Sequence, residues 1–538
     1  MRLALYVLGQ KRAAILKSLG PWLEEKAQKN CDRTFVRFRG REVSYLELNE
    51  RASILARGFL DLGLKKGDHV AFLMPNHPDF LSAWFALAKI GAVLVAVNTQ
   101  LKGPGLRYIL DQSDSRALLL SSQFYPQIEP FERELKNLRT LILWGDELSG
   151  SPSRNALHFS KLLQGRPASE QVRAEVDGSD PLIITYTSGT TGMPKGVVNS
   201  HNAYIQGGID LASICAFQAR DRIYTFLPLF HANPQVYCVM GALAADASLI
   251  LTERFSATKF WDEVRENQAT LFSYVGTVLS ILLKQPPGSR DSENPARACF
   301  GGGAPRDVFG AFMERFKVDV LELYGMSETG AFNTINHPGR IHVGSVGTHR
   351  PGFEVRIFDE KDREVPPQTT GEFVIRPLKP YIMFEGYYRK PEETLESYRN
   401  LWFHTGDLGW KDGEGFFYFV GRKKENIRRG GENITPYEIE SVINAHPQVL
   451  ESAVVGIPSE VMGEEIKACV VPRPGKSLTP ESLLQWCLDR LAEFMIPRYI
   501  EILDHLPKTG SEKVQRFLLK EGGTAGAWDR KKQPGKDL

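Results

Sequence analysis

Hydroxyl, glycine and lysine residues are concentrated at residues 186–196, which read YTSGTTGMPKG. Glycines let the backbone turn its N–H groups towards one point, while hydroxyls and a lysine add hydrogen bonds and a positive charge. The pattern therefore predicts a phosphate-binding loop, and an ordinary polar surface loop is the less favoured interpretation. Its candidate residues are Thr187, Ser188, Gly189, Thr190, Thr191, Gly192 and Lys195.

The loop differs from two common motifs of nucleotide-binding and hydrolytic enzymes. A Walker A lysine is followed by Ser or Thr, whereas Lys195 is followed by Gly196. A GxSxG nucleophile elbow needs a glycine at the position that Tyr186 occupies. The sequence therefore argues against a P-loop NTPase and against a serine hydrolase.

Further segments with candidate chemistry follow along the chain. Three consecutive glycines at 301–303 remove side chains where the backbone must lie close to a flat or bulky partner. Glu328 and Asp407 contribute carboxylates, which accept hydrogen bonds and suit hard cations. Taken singly, each segment has an ordinary structural interpretation. The three glycines are also typical of a tight turn, the histidine of 227–233 of a buried core residue, and Glu328 and the charge run at 422–424 of a solvated surface. The segments are LPLFHAN (227–233), FGGGAP (300–305), LYGMSET (323–329), HTGD (404–407), GRKKENIRRGGENI (421–434) and LPKTGSEKVQR (506–516).

Together and in this order, the segments resemble the motifs of the adenylate-forming superfamily. That superfamily includes acyl-CoA synthetases, the adenylation domains of peptide synthetases, and firefly luciferase. The resemblance extends from Tyr186 to Arg516 motif by motif, and more loosely upstream to about Thr34. The stretch at 416–434 is most similar to acyl-CoA ligases of the crotonobetaine/carnitine-CoA ligase type.

The resemblance implies an AMP-forming acyl-CoA ligase that uses ATP, Mg²⁺, coenzyme A and a small carboxylic acid. By the same resemblance, Tyr324 stacks on adenine, and Asp407 and Arg422 hold the ribose. Ser327 approaches the α-phosphate as a catalytic residue, and Glu328 binds Mg²⁺. The implied ATP and AMP contacts outside the loop are Gly302, Gly303, Ala304, Pro305, Tyr324, Gly325, Met326, Ser327, Asp407 and Arg422.

Two more catalytic residues are implied by the resemblance. Lys513 corresponds to the family's lysine on a mobile loop, where a cation that bridges carboxylate and α-phosphate lowers the barrier to their reaction. His231 corresponds to the residue that gates the carboxylate site. The sequence departs from the family pattern at Glu512 and Pro234, where glycine is usual. We expect Glu512 to affect the lysine and Pro234 to affect the shape of the acyl pocket.

The second half of the implied reaction concerns the C-terminal part of the chain. Lys424 corresponds to the hinge about which a small domain rotates between adenylate formation and thioester formation. Gly431 would line the pantetheine channel, because a missing side chain admits the thiol arm. Arg428 and Gly430 complete the predicted CoA-binding residues.

The hydrophobic pattern predicts an α/β fold. Short buried runs, such as 70–74 and 117–120, alternate with helical spacing, as at Pro78 to Ile90. With the resemblance, this predicts a large N-terminal domain of several subdomains with mixed sheets and helices, and a small mobile α+β C-terminal domain. The expected bounds are 1–423 for the AMP-binding and acyl-binding domain, 424–520 for the small domain, and 521–538 for a disordered tail.

Composition limits the classes of partner. The chain has 538 residues with 42% hydrophobic content, enough for more than one core. Its 66 basic and 64 acidic residues leave a net charge of +2, which gives no reason to expect nucleic acid. The apolar run at 3–8 is too short to cross a bilayer, so we expect no integral membrane segment. Six widely spaced cysteines predict buried apolar thiols in a reducing cytoplasm. The oligomeric state stays open, a homodimer included.

Two alternatives to the acyl-CoA ligase remain. An adenylation enzyme that loads an amino acid onto a carrier protein would need a carboxylate for the α-ammonium group, and the stretch 230–235 offers none. A nucleotide-binding relative with impaired turnover is suggested by Glu512 alone.

Overall fold

The computed structural model describes residues 17–146, 152–164, 172, 174–187, 193–423, 425–429, 432–459, 461–508 and 514–532. Most residues of the phosphate loop and several others with predicted roles lie outside these ranges. They are Ser188, Gly189, Thr190, Thr191, Gly192, Lys424, Gly430, Gly431, Glu512 and Lys513. The apolar run at 3–8 also lies outside them.

The first sheet has eight strands among the described residues and is largely parallel. Strands such as Ala117–Ser121 are apolar and fully buried, as is typical of parallel strands covered by helices on both faces. Lys195–Ser200 differs, because it runs antiparallel to both of its neighbours. In sheet order the strands are Gly386–Tyr387, Lys195–Ser200, Pro181–Thr187, Val93–Ala96, His69–Leu73, Ala117–Ser121, Thr140–Trp144 and Asn155–His158.

The second sheet has nine described strands and a parallel centre. Its strands Ala298–Gly302 and Asp319–Tyr324 are parallel neighbours, so their carboxyl ends meet at one edge. Ligands of parallel α/β sheets bind outside such an edge, which is where the glycine segment and Tyr324 lie. In sheet order the strands are Thr348–His349, Thr334–Ile335, Asp319–Tyr324, Ala298–Gly302, Leu271–Val275, Arg222–Thr225, Ser248–Leu251, Thr34–Phe38 and Arg41–Ser44.

Two further sheets follow in the C-terminal half. The five-stranded sheet is antiparallel and contains a hairpin in which Asp407 lies opposite Arg422. Its strands are Phe353–Phe358, Gly371–Pro377, Tyr398–Arg399, Trp402–Lys411 and Phe417–Arg422. The six-stranded sheet begins after Glu425, and its strands are Ile427–Arg429, Glu432–Ile434, Val449–Ser459, Gly463–Pro472, Tyr499–Ile502 and Trp528–Asp529.

Helices cover the sheets, and Pro78–Ile90 begins and ends where the sequence signals predict. Pro78 starts Pro78–Ile90 at a first-turn position, and the helix ends at Gly91, whose φ of 71° is left-handed. The α-helices are Leu19–Lys29, Tyr45–Asp61, Pro78–Ile90, Gly103–Gln112, Tyr125–Ile128, His201–Ile214, Gly241–Ala245, Phe260–Glu266, Gly276–Leu283, Arg306–Phe316, Pro391–Glu396, Pro436–Asn444, Pro480–Leu488 and Arg516–Glu521. Residues Asn233–Met240 form a π-helix.

The predicted fold class is confirmed, with a large N-terminal part of mixed sheets and a smaller C-terminal domain. The six-stranded sheet has a hydrophobic core of its own, which includes Ile439, Ile466 and Leu483. The disordered tail predicted for 521–538 is wrong for residues 521–532. The strand Trp528–Asp529 pairs with Tyr499–Ile502 and so extends the six-stranded sheet. An ion pair between Asp529 and Arg498, with Oδ1 and Nε 3.2 Å apart, stabilises this pairing.

Five of the six cysteines are buried, as the composition predicts. Cys215, Cys238, Cys299, Cys469 and Cys487 are buried, whereas Cys31 is exposed, so the prediction of six buried thiols is wrong at that position. Within the described ranges, no helix combines the length and the apolar character needed to cross a membrane.

Candidate active site

The base of the phosphate loop is a pair of antiparallel strands. Thr187 and Lys195 are cross-strand partners, so the strand ends on either side of the loop lie side by side. A Cβ atom on Gly196 would lie 2.8 Å from Cγ2 of Ile184, which explains why glycine follows the lysine. The N–H of Tyr388 donates to the carbonyl of Gly196 at 2.7 Å and fixes the second strand from its other side.

Tyr387 connects this strand pair to the segment that contains Glu328. Nζ of Lys195 lies 4.8 Å from the centre of the Tyr387 ring. The hydroxyl of Tyr387 donates a hydrogen bond to Oε1 of Glu328 at 3.0 Å. One side chain therefore contacts both the predicted phosphate-binding lysine and the predicted metal ligand. The sequence analysis missed Tyr387, which lies almost two hundred positions from Lys195.

The segment Ser327–Thr329 is a short 3-10 turn held by backbone contacts. Nδ2 of Asn199 donates to the carbonyl of Ser327 at 3.0 Å, and the N–H of Phe384 donates to the carbonyl of Glu328 at 2.9 Å. A Cβ atom on Gly325 would lie 2.3 Å from Cα of Phe332, so glycine is required there. Ser327 and Glu328 are thus fixed against the strand that starts at Lys195.

Glu328 is almost completely buried, with 4% of its surface exposed. Burial raises the pKa of its carboxyl above the ordinary value, because the charged form is poorly solvated there. The Tyr387 hydroxyl and the charge of Arg422 favour the ionised form, while the charge of Asp407 opposes it. The electrostatic influence of Arg422 and Asp407 indicates that Glu328 and the next group of residues belong to one site.

Tyr324, Asp407 and Arg422 form that group. The hydroxyl of Tyr324 donates to Oδ2 of Asp407 at 2.9 Å, and Nε of Arg422 lies 3.3 Å from Oδ1. The Tyr324 ring stacks on Phe373 with ring centres 4.5 Å apart. Asp407 is 4% exposed, and both partners help to stabilise its negative charge. The structure therefore brings together the three residues that were predicted to hold adenine and ribose.

The glycine segment is fixed by Glu322, which the sequence analysis missed. Oε1 of this fully buried carboxyl accepts hydrogen bonds from the N–H groups of Gly303 and Ala304 at 2.6 and 3.1 Å. The hydroxyl of Tyr274 donates to the other oxygen, Oε2. Burial raises the pKa of Glu322 to about 8. An acidic residue in a buried strand, two positions before Tyr324, was the available signal.

The glycines themselves permit close approach of neighbouring strands. A Cβ atom on Gly301 would lie 2.1 Å from the carbonyl oxygen of Tyr274, and one on Gly302 would lie 2.9 Å from that of Leu323. Gly303 has a φ of +90°, which favours glycine. Pro305 then precedes the helix Arg306–Phe316. The predicted backbone contact surface at 302–305 therefore lies at the carboxyl edge of the nine-stranded sheet.

His231 lies just before the π-helix Asn233–Met240, and its ring contacts that of Phe230 at 4.6 Å. Nδ2 of Asn233 donates to the carbonyl of Tyr274 at 3.3 Å, so this helix contacts the strand that also supports Glu322. Gln235 is fully buried; it accepts from Tyr204 at 2.8 Å and donates to a backbone carbonyl. Gln235 is therefore a structural residue, and Pro234 lies in the first turn of the helix.

The described residues on either side of the predicted hinge, Lys423 and Glu425, have hydrogen-bond or ion-pair partners. The N–H of Lys423 donates to the carbonyl of Gly406 at 2.9 Å. Arg516 contacts both oxygens of Glu440 at 2.5 and 3.0 Å and Oε2 of Glu425 at 3.2 Å. Arg516 therefore connects the end of the predicted lysine loop to the residue that follows Lys424.

The predicted CoA-binding segment is represented by Arg428. Its side chain is exposed, and its N–H donates to Oε2 of Glu464 at 2.8 Å. The adjacent Arg429 is buried and pairs with Glu465 at 2.7 Å. The two neighbouring glutamates thus anchor the strand that leads to Gly430 and Gly431.

Comparison with known proteins agrees with this geometry. A family model described as AMP-binding enzyme matches residues 23–388, and one described as AMP-binding enzyme C-terminal domain matches residues 438–513. The chain is 36% identical over 481 residues to a crotonobetaine/carnitine–CoA ligase of Escherichia coli (strain UMN026), covering 89% of this chain and 93% of the relative.

Two solved structures are also similar throughout. ATP-bound MatB from Rhodopseudomonas palustris has a TM-score of 0.84 and 28% identity, covering 94% of this chain and 99% of that one. The o-succinylbenzoate CoA synthetase MenE from Bacillus subtilis, in complex with the acyl-adenylate intermediate, has a TM-score of 0.81 and 27% identity. That match covers 93% of this chain and 97% of MenE.

Proposed function

Because this chain belongs to the AMP-binding enzyme family and is an AMP-forming acyl-CoA ligase, we propose that it activates a small carboxylic acid at the site described above. The observation that carries the assignment of the site is the carboxylate of Asp407, buried and contacted by Tyr324 and Arg422. A carboxylate has about four acceptor positions, so Asp407 can accept from ribose hydroxyls while it keeps both contacts.

The nucleotide lies along the carboxyl edge of the nine-stranded sheet. Adenine lies against Tyr324 and the backbone of Gly302 to Pro305, where missing or small side chains leave room for a flat ring. The ribose is held by Asp407 and Arg422. Lys195 and residues 187–192 bind the phosphates, and the strand pairing at Thr187 and Lys195 supports this placement.

A divalent cation fits the environment of Glu328. Burial raises the pKa of this carboxyl, and a bound cation would favour its charged form. Among the described residues, no group of three or more His, Cys, Asp and Glu side chains is placed to hold a metal ion. Glu328 would therefore hold Mg²⁺ together with phosphate oxygens of the nucleotide. When bound, Mg²⁺ neutralises charge on the phosphate chain.

In the first half-reaction, the carboxylate of the acid attacks the α-phosphorus of ATP. A carboxylate–phosphorus bond forms, the bond to the bridging oxygen breaks, and pyrophosphate leaves with that electron pair. Lys195 and the loop hydroxyls stabilise the departing pyrophosphate. Lys513 offsets the repulsion between the two anions, Ser327 donates to the α-phosphate, and His231 borders the acid.

In the second half-reaction, the small domain rotates about Lys424. This motion removes Lys513 from the site and brings Arg428, Gly430 and Gly431 to it. The CoA thiol releases its proton to solvent, and its sulfur attacks the acyl carbonyl carbon. The bond from that carbon to the phosphate oxygen breaks, and AMP leaves with the electron pair. The boundary between residues 423 and 424 is supported by the separate core of the C-terminal sheet. We also propose a cytoplasmic location, which the free cysteines support.

A substrate panel tests this proposal. The purified chain is incubated with ATP, Mg²⁺, CoA and individual acids, and acyl-CoA, AMP and pyrophosphate are measured. Crotonobetaine and carnitine come first, because a similar ligase carries their names; short aliphatic and aromatic acids follow. We expect at least one acid to give acyl-CoA with equal amounts of AMP and pyrophosphate. ADP and phosphate as products would contradict the proposed chemistry.

A further inference from the structure

Tyr387 contacts two charged residues of opposite sign that have separate functions in the proposed reaction. Its ring lies 4.8 Å from Nζ of Lys195, and its hydroxyl donates to Oε1 of Glu328 at 3.0 Å. We propose that Tyr387 is a positioning residue that sets the placement of Lys195 and Glu328 relative to each other. The inference rests on the proposed function, in which Lys195 binds phosphate and Glu328 holds Mg²⁺.

The position of Tyr387 is itself well determined. Tyr387 is the cross-strand partner of Val197 in an antiparallel strand pair, and Val197 lies two residues after Lys195. The N–H of Tyr387 donates to Oγ1 of Thr394 at 2.9 Å, and its ring contacts Phe384 at 5.3 Å in an edge-on arrangement. The backbone, the adjoining helix and a neighbouring ring thus support Tyr387 through contacts within the protein. Such support is what a positioning residue requires.

The ring and the hydroxyl of Tyr387 make two different kinds of interaction, a cation–π contact and a hydrogen bond. The ring face attracts the ammonium group of Lys195 through its quadrupole, which is independent of the hydroxyl. The hydroxyl donates a charge-assisted hydrogen bond to the ionised Glu328 and orients one carboxylate oxygen. Because Oε1 accepts from Tyr387, this hydrogen bond restrains the carboxylate that would hold the cation.

Separate substitutions distinguish the two contacts. Tyr387→Phe keeps the ring beside Lys195 and removes the donor to Glu328. Tyr387→Leu removes both the ring and the donor. Tyr398→Phe is a matched control, since Tyr398 is a half-buried tyrosine beside the same Phe384 ring, and its hydroxyl lies 3.9 Å from Sδ of Met383.

The experiment measures binding rather than turnover. Mn²⁺ replaces Mg²⁺ as a spectroscopic probe, and its affinity for the enzyme–ATP complex is determined by electron paramagnetic resonance. ATP binding without divalent cation is measured by calorimetry in parallel. We expect Tyr387→Phe to weaken Mn²⁺ binding about tenfold, as for one lost hydrogen bond to a charged group. Metal-free ATP binding should stay unchanged in Tyr387→Phe and weaken in Tyr387→Leu, and Tyr398→Phe should match the wild type in both.

Unchanged Mn²⁺ affinity in folded Tyr387→Phe would overturn the inference, as would equal loss of Mn²⁺ affinity in Tyr398→Phe. Circular dichroism and thermal unfolding establish that each variant is folded. If Tyr387→Leu fails to fold, Tyr387→Phe still decides the question. A wild-type chain that binds no ATP at all would overturn the proposed function and this inference with it, so the two failures are distinguishable.

Discussion

The hydroxyl of Tyr324 donates a hydrogen bond to Oδ2 of Asp407 at 2.9 Å, although the two residues belong to different sheets. Tyr324 ends a parallel strand of the nine-stranded sheet, and Asp407 lies in a hairpin of the five-stranded sheet opposite Arg422. The junction of two sheets therefore creates a buried carboxylate at the edge where a nucleotide can bind.

Asp407→Ala should weaken ATP binding by about 1.5 to 3 kcal/mol, because charge-assisted hydrogen bonds to the ribose are lost. Calorimetric titration with ATP and Mg²⁺ measures the change. Tyr324→Phe is the comparison, since it removes one partner of Asp407 and keeps the ring on Phe373. Its effect should be smaller. Wild-type ATP affinity in Asp407→Ala would place the ribose elsewhere.

Glu322 predicts a pH-dependent stability. Burial raises its pKa in the folded state from the ordinary 4.5 to about 8. The folded state therefore holds a proton that the unfolded state has lost between these pH values, and stability falls as the pH rises through this window. The contribution of the protonated Glu322 carboxyl to stability is complete below about pH 4.5 and lost above about pH 8.

Thermal unfolding of the wild type and of Glu322→Gln between about pH 5 and pH 9 measures this effect. The quantity compared between the two proteins is the change of Tm with pH. Glutamine keeps an acceptor for the N–H groups of Gly303 and Ala304 but does not titrate. The Tm of the wild type should fall more steeply with pH than that of the variant. Parallel curves would show that Glu322 does not titrate as inferred.

Lys513→Ala should suppress adenylate formation by several orders of magnitude, because its charge is needed where two anions meet. Thioester formation from supplied acyl adenylate should change much less. Lys508→Ala is a control in the same segment, since Lys508 pairs with Glu451 at 2.6 Å; both half-reactions should persist in it. Equal losses in the two half-reactions of Lys513→Ala would argue against its assignment.

Lys424→Pro tests the hinge, because proline fixes φ at a residue that must adopt two backbone conformations. The variant should retain one half-reaction and lose the other, as measured by pyrophosphate release in a single turnover and by thioester formation from acyl adenylate. Gly431→Trp should impair the CoA step alone, whichever orientation the domain adopts. If Lys424→Pro slows neither half-reaction, the hinge lies elsewhere.

Much of the fold was predictable because apolar periodicity reports burial directly. The helix Pro78–Ile90 has the predicted bounds, and the buried runs predicted at 70–74 and 117–120 overlap the strands His69–Leu73 and Ala117–Ser121. The tail was mispredicted because two residues, Trp528 and Asp529, suffice to extend an existing sheet without a periodic apolar face. An edge strand offers unpaired backbone N–H and C=O groups, so a short segment can pair with it without an alternating apolar sequence.

The proximity of candidate site residues was predictable where they stand in contiguous motifs, as at Tyr324 and Asp407, which are hydrogen-bonded to each other. Tyr387 and Glu322 were missed for a physical reason: each acts on a motif from outside it. Tyr387 is distant in sequence from both of its partners, and the only signal for Glu322 is a single acid in a buried strand just before Tyr324. Three-dimensional contacts at Lys195, Glu328 and Gly303 reveal them.

The central claim is that one chain forms an acyl adenylate and then transfers the acyl group to CoA. Acid-dependent exchange of labelled pyrophosphate into ATP, measured without CoA and followed by CoA addition, tests it most directly. The account predicts exchange with an accepted acid in the absence of CoA, acyl-CoA and AMP in equal amounts after CoA is added, and loss of exchange in Asp407→Ala. Acyl-CoA formation without any acid-dependent exchange would contradict the account.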